Sequence, residues 1–405
     1  MKKHNALLLM FALLFSACSS DDKGENNVRK DIVLGIHDIG IVNTQINSTF
    51  DMLRYFDACS DEPNFMVSPL SIQFALGMLA NGAQGKTLDE ITTVLGCNSI
   101  GDLNTLNKRL LSELPKADKK TSLYIANSVW LNDGFNVLPS YSRSVADFYR
   151  ANAATIDLST EEAVKKINKW CSSNTDGMIP KVISSPYTDE ATFIILNALY
   201  FKSEWQHPFK TENTVSKDFN NADGTVSKVP TMCKNENMYY FKAEKYELAR
   251  MNYGNGAYAM ILLLPSKDTP LGEALQALDS YAWSAWKKDR IIRDCKLEMP
   301  KFNITTHLEL DEYFKSIGLG EVYDGEKADL SAMSDRNTHL AKSEQFTTIE
   351  VDEKGTVATS VTKFVGGDTD IYFEEVEFHI DRPFAFIIEE TSTGAILFTG
   401  RINKL

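Results

Sequence analysis

Apolar residues in the first half of the chain recur at helical spacing. A first helix is predicted over residues 42–59, where four of them share one side: Ile46, Phe50, Leu53 and Phe56. A second helix is predicted over 69–80, because Pro69 suits a first helical turn, where a missing N–H costs nothing. Capping-box patterns at 87–90 and 159–162 predict two more helices, the latter running through residue 171.

The second half of the chain favours strands. Alternation of apolar residues with Glu375, Glu377 and His379 predicts a half-buried strand over 376–380. Apolar, β-rich runs predict five other strands: 122–131, 192–201, 260–264, 384–388 and 395–398. Residues 391–394 predict a hairpin turn between the last two of these strands. Helices dominate early and strands late, which indicates an α+β fold. No linker or repeat divides residues 36–405, so we expect a single domain.

The N-terminus carries an export signal. Lys2 and Lys3 precede an apolar run that is too short to span a membrane, so residues 1–17 are read as a signal peptide. Its last residues and Cys18 read FSAC, which resembles a bacterial lipobox; an ordinary signal peptide is the alternative. Lipid on Cys18 implies a membrane as partner, with residues 18–35 as a flexible tether. The acidic stretch after Cys18 resembles a surface-export signal, which implies the outer membrane and the cell surface of a bacterium.

Charge and composition exclude several function classes. The net charge is −13, or −15 once Lys2 and Lys3 leave with the leader. Such an acidic surface disfavours nucleic acid, heparin-like glycans and anionic lipid as partners. Five cysteines remain after Cys18, widely spaced and without a C-x-x-C pair, so neither a disulfide framework nor a zinc site is expected. No cofactor is implied.

The sequence offers no recognisable catalytic motif. None of its six histidines lies in an H-E-x-x-H motif, and neither a G-x-S-x-G elbow nor a phosphate-binding glycine loop occurs. A Ser/His/Asp triad scattered along a chain escapes this kind of search. Because no motif supports catalysis, we expect a protein that is not an enzyme.

Four segments, in the same order along the chain, resemble motifs of the serpin family of protease inhibitors. The opening motif reads NFMVSPLSI at 64–72 and GAQGKT at 82–87, and the central-sheet signature reads NALYFKSEW at 197–205. The start of the reactive loop reads EKGT at 353–356. The C-terminal signature reads DRPF at 381–384 and GAILFTGR at 394–401. The resemblance runs from about residue 64 to the end of the chain.

This resemblance implies a serpin fold with three β-sheets, eight or nine helices and an exposed reactive-centre loop at about 353–380. It implies inhibition of serine proteases, with cysteine proteases as a second class, by a suicide-substrate mechanism. The protease cleaves the loop and forms an acyl-enzyme, and the loop then inserts into the central sheet as a strand. The driving force is a metastable uncleaved fold.

The resemblance also assigns roles to particular residues. The hinge, where insertion starts, comprises Glu353, Gly355, Thr356, Ala358 and Ser360. The breach, at the loop base, comprises Glu353, Lys301 and Trp205, with Glu353 pairing with Lys301. The shutter, lower in the sheet, comprises Ser68, Ser71, Asn197 and Gln345. Gln345 occupies a position where the family usually has histidine, and glutamine can both donate and accept hydrogen bonds.

The residues after Gly355 suit strand insertion. Positions 356, 358, 360 and 362 are all small and would share one face, and no proline interrupts the segment. The family hinge usually has more alanines, whereas here Ala358 is the only one before residue 364, which favours slower insertion.

Two ways of counting residues along the loop place the scissile bond differently. Counting forward from Gly355 favours Thr369, and counting back from Pro383 favours Tyr372, with Asp370 and Ile371 between them. Lys363 would suit a trypsin-like enzyme, but cleavage so near the hinge should inactivate without trapping. Two other functions stay open: a non-inhibitory serpin that acts as a binding module, and a surface lipoprotein that captures glycans or peptides.

Overall fold

The computed structural model describes residues 27–188, 191–356 and 373–405. Nine α-helices lie within these ranges: α1 Ile36–Cys59, α2 Pro69–Ala80, α3 Gly85–Val94, α4 Ile100–Ala117, α5 Pro139–Tyr149, α6 Glu161–Asn174, α7 Leu271–Ala277, α8 Ser280–Asp289 and α9 Asp311–Ser316. The three last helices are short, and six of the nine precede residue 175. In this part of the chain no helix is both long and apolar enough to cross a membrane.

The described residues form fifteen strands: β1 Asn64–Val67, β2 Ser122–Leu131, β3 Asn152–Thr155, β4 Phe193–Glu204, β5 Val215–Asn220, β6 Val226–Lys242, β7 Tyr246–Tyr253, β8 Tyr258–Pro265, β9 Ile291–Pro300, β10 Phe302–Glu309, β11 Glu344–Val351, β12 Gly355–Thr356, β13 Glu375–His379, β14 Phe384–Glu390 and β15 Ile396–Ile402. Twelve of them follow residue 192, as expected of an α+β chain with late strands.

Two hydrogen-bonded sheets result. The six-stranded sheet has the order β10-β11-β12-β4-β2-β3. The nine-stranded sheet has the order β1-β15-β14-β8-β7-β6-β9-β13, with β5 also on β6. The long strand β6 pairs with β5 and β9 along most of its length and with β7 at its end, so it joins two sheet halves. The three sheets implied by the serpin resemblance correspond to the six-stranded sheet and these two halves.

Helix α2 lies at the centre of the molecule. Nearly all of its residues are buried, as expected of a helix that is apolar on every side. It contacts β4 of the six-stranded sheet and β15 of the nine-stranded sheet. A second, smaller core lies between α6 and the outer face of β2 and β4, and includes Ile167, Ala126 and Ala198. Helix α2 therefore packs between the two sheets, with its first turn beside the strands of the functional site.

Several sequence predictions differ from the structure in detail. The capping box at residues 87–90 is wrong: α3 begins at Gly85, and the Thr87 hydroxyl accepts from the Asp329 N–H (3.0 Å) instead of capping the helix. Helix α1 begins six residues before the predicted position. The predicted tether extends to residue 35, yet residues 27–35 pack on the domain, where Ile32 is buried.

Candidate functional site

The base of the reactive-centre loop lies between two strands. Gly355 and Thr356 form β12 and pair with Glu204 and Ser203 of β4, while Thr356 also pairs with Val351 of β11. Below these two residues, in the described chain, β4 pairs with β2 and β11 pairs with β10, and the two strands do not pair with each other. Among the described residues, only Gly355 and Thr356 lie between β4 and β11, and they lie at the top of the space that the two strands flank.

Gly355 is required at this position by close approach. Its φ of 153° is one that side chains rarely adopt, and a Cβ atom here would lie 2.1 Å from the carbonyl oxygen of Ser203. The next residue, Thr356, is buried, and its hydroxyl hydrogen-bonds with that of Tyr253 (2.8 Å). The Ser203 hydroxyl bonds to that of Thr121 (2.7 Å). Gly355 and Thr356 are therefore already packed as part of the sheet.

Glu353 holds the loop base through two side chains. Lys301 Nζ donates to Glu353 Oε2 (2.9 Å), and the Thr214 hydroxyl donates to Glu353 Oε1 (2.8 Å). The Phe209 N–H also donates to the backbone carbonyl of Glu353 (2.8 Å). The expected contact between Glu353 and Lys301 is present, and it ties the loop base to the link between β9 and β10.

Two opposing effects set the pKa of Glu353. The residue is 8% exposed, and burial acts to raise the pKa of its carboxyl. Hydrogen bonds from Lys301, from its own backbone and from Thr214 outweigh burial, so the pKa lies below the ordinary value. The carboxylate is therefore charged at neutral pH.

Trp205 completes the breach. Its backbone N–H donates to the Lys354 carbonyl (2.8 Å), and its indole Nε1–H donates to the Asp352 carbonyl (3.0 Å). Its ring stacks on Tyr253 with centroids 4.4 Å apart. Tyr253 thus contacts both Trp205 and Thr356, and burial raises the pKa of its hydroxyl, so it stays protonated. The tryptophan fixes the turn that precedes the hinge.

Lower in the sheet, Gln345 of β11 binds the backbone of Ser68 twice. The Ser68 N–H donates to Gln345 Oε1 (2.7 Å), and Gln345 Nε2 donates to the Ser68 carbonyl (3.0 Å). The Ser68 hydroxyl donates to the Leu397 carbonyl (2.6 Å) and accepts from the Ser71 N–H as the cap of α2. Glutamine therefore uses both its donor and its acceptor here, as its chemistry allows.

The other side of the gap is bonded to the same helix. The Ser71 hydroxyl donates to Asn197 Oδ1 of β4, and Asn197 Nδ2 donates to Asn127 Oδ1 of β2 (2.6 Å). Asn127 in turn donates to the Tyr149 carbonyl (2.7 Å). The first turn of α2 therefore bridges β11 and β4 where the two strands are not paired.

A cavity of about 110 Å³ occupies the lower part of this gap. Its walls include Phe193 and Asn197 from β4, Gln345 from β11 and Ile72 from α2. Interiors are normally close-packed, so an opening between two strands of a central sheet is a structural weakness that an added strand could fill.

The far end of the loop is anchored at β13. This strand runs parallel to β9, with Glu375 opposite Asp294. Arg293 pairs with Glu374 (2.8 Å), and Lys296 pairs with Glu375 (2.6 Å). These exposed pairs contribute little stability individually, but they place the acidic flank of the loop against the nine-stranded sheet.

Some predicted site residues lie outside the described residues: Cys18, Ala358, Ser360, Thr369, Asp370, Ile371 and Tyr372. The structure adds three residues that the sequence did not single out: Thr214, Tyr253 and Asn127. Only Asn127 carried a signal, because asparagine is uncommon in a central strand. The other two reach the site through long-range folding.

Comparison with known proteins agrees with this arrangement. A sequence model described as serpin (serine protease inhibitor) matches residues 43–405. The chain is 30% identical over 366 residues to a leukocyte elastase inhibitor of Xenopus laevis, covering 88% of this chain and 97% of the relative. It is 29% identical over 369 residues to neuroserpin of Gallus gallus, covering 88% of each. The solved native structure of tengpin, a thermophilic serpin, has a TM-score of 0.83 and 27% identity, covering 94% of this chain and 97% of that chain.

A fold in which two strands of the central sheet are left unpaired with each other below the base of a loop defines a class of protease inhibitor. The chain belongs to the serpin family. Members of this family generally inhibit proteases and are not catalytic enzymes, and a protease is accordingly the kind of partner that membership supports.

Proposed function

We propose that the chain is a suicide-substrate inhibitor of serine proteases, with cysteine proteases as a second class of target. The protease nucleophile attacks the scissile carbonyl of the loop, the peptide bond breaks, and an ester or thioester to the loop remains. The freed loop then inserts between β4 and β11 and carries the acylated protease with it. Distortion of the protease active site leaves the ester unhydrolysed.

The observation that carries this proposal is strand β12. Gly355 and Thr356 already pair with β4, and Thr356 also pairs with β11, at the top of a gap that continues below them. A cleaved loop could lengthen β12 without a new nucleation step, and successive added residues would form backbone hydrogen bonds alternately with β4 and with β11. The gain is available only after the loop is cut, which makes the uncleaved state metastable.

The register of β12 predicts where each inserted residue would lie. Continued downward, position 358 comes opposite Phe201 and Ile349, which are both buried. Position 362 comes opposite Asn197 and Gln345, so the inserted strand would separate the two sides of the bridge made by α2. The positions on the buried face are the small ones, which avoids overpacking the core.

The same register bears on the scissile bond. The first residue of β4, Phe193, would face position 366, whereas the first residue of β11, Glu344, would face position 363, so an inserted strand would be flanked by both strands to position 363 and by β4 alone to position 366. Thr369 lies three residues beyond that point and Tyr372 six, so cleavage at either would leave the strand complete. A cut after Lys363 would leave it short. The forward count to Thr369 is therefore favoured.

Incubation with a panel of serine and cysteine proteases tests this function. An inhibitor should give a complex that survives boiling in detergent, and mass spectrometry of the released C-terminal peptide should place the cut between residues 369 and 372. A stable complex whose only cut follows Lys363 would overturn the spacing. No complex with any protease would favour the non-inhibitory binding module or the capture of glycans or peptides.

We further propose that the protein is an exported bacterial lipoprotein of the outer membrane, displayed at the cell surface. The support is the leader and the FSAC sequence that ends at Cys18. Mass spectrometry of the mature N-terminal peptide should show lipid on Cys18, and Cys18→Ser should release most of the protein from membranes. Cys59→Ser, at another exposed cysteine, is the matched control and should leave the protein anchored.

A further inference from the structure

Four apolar side chains near the N-terminus are exposed to solvent. The exposed fractions are 69% for Val28, 78% for Val33, 82% for Ile36 and 47% for Ile39. They are four of the twelve large hydrophobic side chains that are exposed in the described part of the chain, yet they fall within twelve consecutive positions. We refer to them as the N-terminal apolar patch. Concentrations of exposed apolar side chains of this kind mark interaction surfaces.

The backbone that carries the patch is held in place. The Ile32 N–H donates to the Ser392 hydroxyl (2.9 Å), and Arg109 donates to the Val33 carbonyl (3.1 Å). The Gly35 N–H donates to Asp38 Oδ2 (2.7 Å) at the start of α1. The exposed valines and isoleucines therefore belong to a segment that is fixed to the body of the protein, while their own side chains remain uncovered.

Within residues 28–40 the negative charges are compensated, although the whole chain is acidic and Asp118 and Glu390 lie next to this segment. Residues 28–40 contain two carboxylates. Asp31 pairs with Arg29, and Asp38 pairs with Arg109. Lys30 adds an exposed positive charge. The patch therefore lies in a stretch whose negative charges are compensated, as contact with phospholipid headgroups would require.

We propose that the N-terminal apolar patch docks on the lipid bilayer that holds the protein. The inference rests on the proposed lipidation of Cys18. Asn27 lies nine residue steps after Cys18, and at ~3.6 Å a step these span at most ~32 Å. Such a short connection gives the patch a high effective concentration at the bilayer, an advantage that a second copy of the chain would not share. Lipid contact at residues 28–39 would restrict the orientations that a tether alone leaves open.

Fluorescence quenching of the lipidated protein tests the docking. Ile36→Trp is reconstituted in phosphatidylethanolamine and phosphatidylglycerol vesicles that contain brominated phosphatidylcholine, and the wild-type signal is subtracted. The added tryptophan should shift to shorter wavelength and be quenched.

The matched control is Val226→Trp, an exposed site that pairs with Asn220 at the end of the β5–β6 hairpin. In that hairpin the Ala222 N–H donates to the carbonyl of Asn403, which follows β15, at the end of that strand away from the Ser392 turn. Val226→Trp should show neither change. Equal quenching at both sites, or none at position 36, would overturn the proposal.

A second measurement separates docking from anchoring. In the unlipidated Cys18→Ser protein, the double substitution Val33→Ser and Ile36→Ser should lower partitioning into the same vesicles by ~10-fold or more, since each loses apolar area that lipid would cover. Val226→Ser should not. Mass spectrometry of Cys18 is done first, so absence of lipid counts against the anchor. If Cys18 carries lipid but the patch substitutions leave partitioning of the Cys18→Ser protein unchanged, the docking proposal is wrong and the lipid anchor stands.

Discussion

Glu353 is the charged residue on which the loop base depends most directly. Its carboxylate is nearly buried and accepts from Lys301 and Thr214. Reversal of its charge in Glu353→Lys would place two lysines together beside the Thr214 hydroxyl. Because the Lys301 side chain is 37% exposed and solvent screens part of the repulsion, we expect a loss of about 1–3 kcal/mol in the free energy of unfolding.

Native gels after mild heating measure the consequence of that substitution. Glu353→Lys should polymerise or insert its loop prematurely, because the hinge is no longer held. Glu350→Lys, an equal charge change at an exposed position of β11, is the control and should stay monomeric. If Glu353→Lys also stays monomeric, with undiminished inhibition, the assigned role of Glu353 is incorrect.

The lowered pKa of Glu353 also predicts a dependence on pH. A carboxyl whose pKa is lower in the folded than in the unfolded state adds stability above the ordinary glutamate value of about 4.3, and loses it as the pH falls through the folded value. The thermal midpoint of Glu353→Gln should therefore lie furthest below that of the wild type at neutral pH, and the two should converge toward pH 3. A constant difference across this range would contradict the assignment.

Residues that act across the fold were the hardest to predict from the sequence. The contact between Glu353 and Lys301 followed from the family pattern, and so did the group Ser68, Ser71, Asn197 and Gln345. Tyr253 and Thr214 did not, because each is more than a hundred positions away from its partner in the chain. Short-range patterns contain no information about such pairings.

Among the elements, β12 is the shortest and the most informative. A methyl group on Gly355 would meet the Ser203 carbonyl, so Gly355→Ala should expel the hinge from the sheet at a cost of ~1–3 kcal/mol. Hydrogen exchange should show lost protection of the Thr356 amide. The control Gly320→Ala has no neighbouring atom within 4 Å of the new methyl and should be close to neutral. Equal behaviour of the two variants would remove the steric argument for β12.

Elements were predictable where local pattern and tertiary environment agree. Strand β2 occupies the predicted residues 122–131, because an apolar β-rich run is buried along most of its length. Helix α3 was misplaced at its start because Thr87 is used by a distant segment through Asp329. The division of β6 between two halves of one sheet reflects partners brought together only by folding.

At the scale of the whole molecule, we expect the gap between β4 and β11 to limit stability. Helix α2 holds both strands with hydrogen bonds from its first turn, which substitutes for direct pairing of the strands. Cleavage between residues 369 and 372 should therefore raise the thermal midpoint, because the inserted strand would form two new ladders. Cleavage after Lys363 should raise it less. Calorimetry of the two cleaved forms measures the difference, and equal midpoints would contradict the register.

The yield of detergent-stable complex with a target protease tests the central claim most directly. Ala358→Arg would force a charge onto the buried face of the inserting strand opposite Phe201, so insertion should slow while cleavage does not. Val357→Arg is the matched control, since its register position faces outward beside Glu350. The account predicts that the wild type and Val357→Arg form the detergent-stable complex. Ala358→Arg should instead be cleaved by the protease and released without trapping it. An undiminished yield of complex from Ala358→Arg would contradict the account.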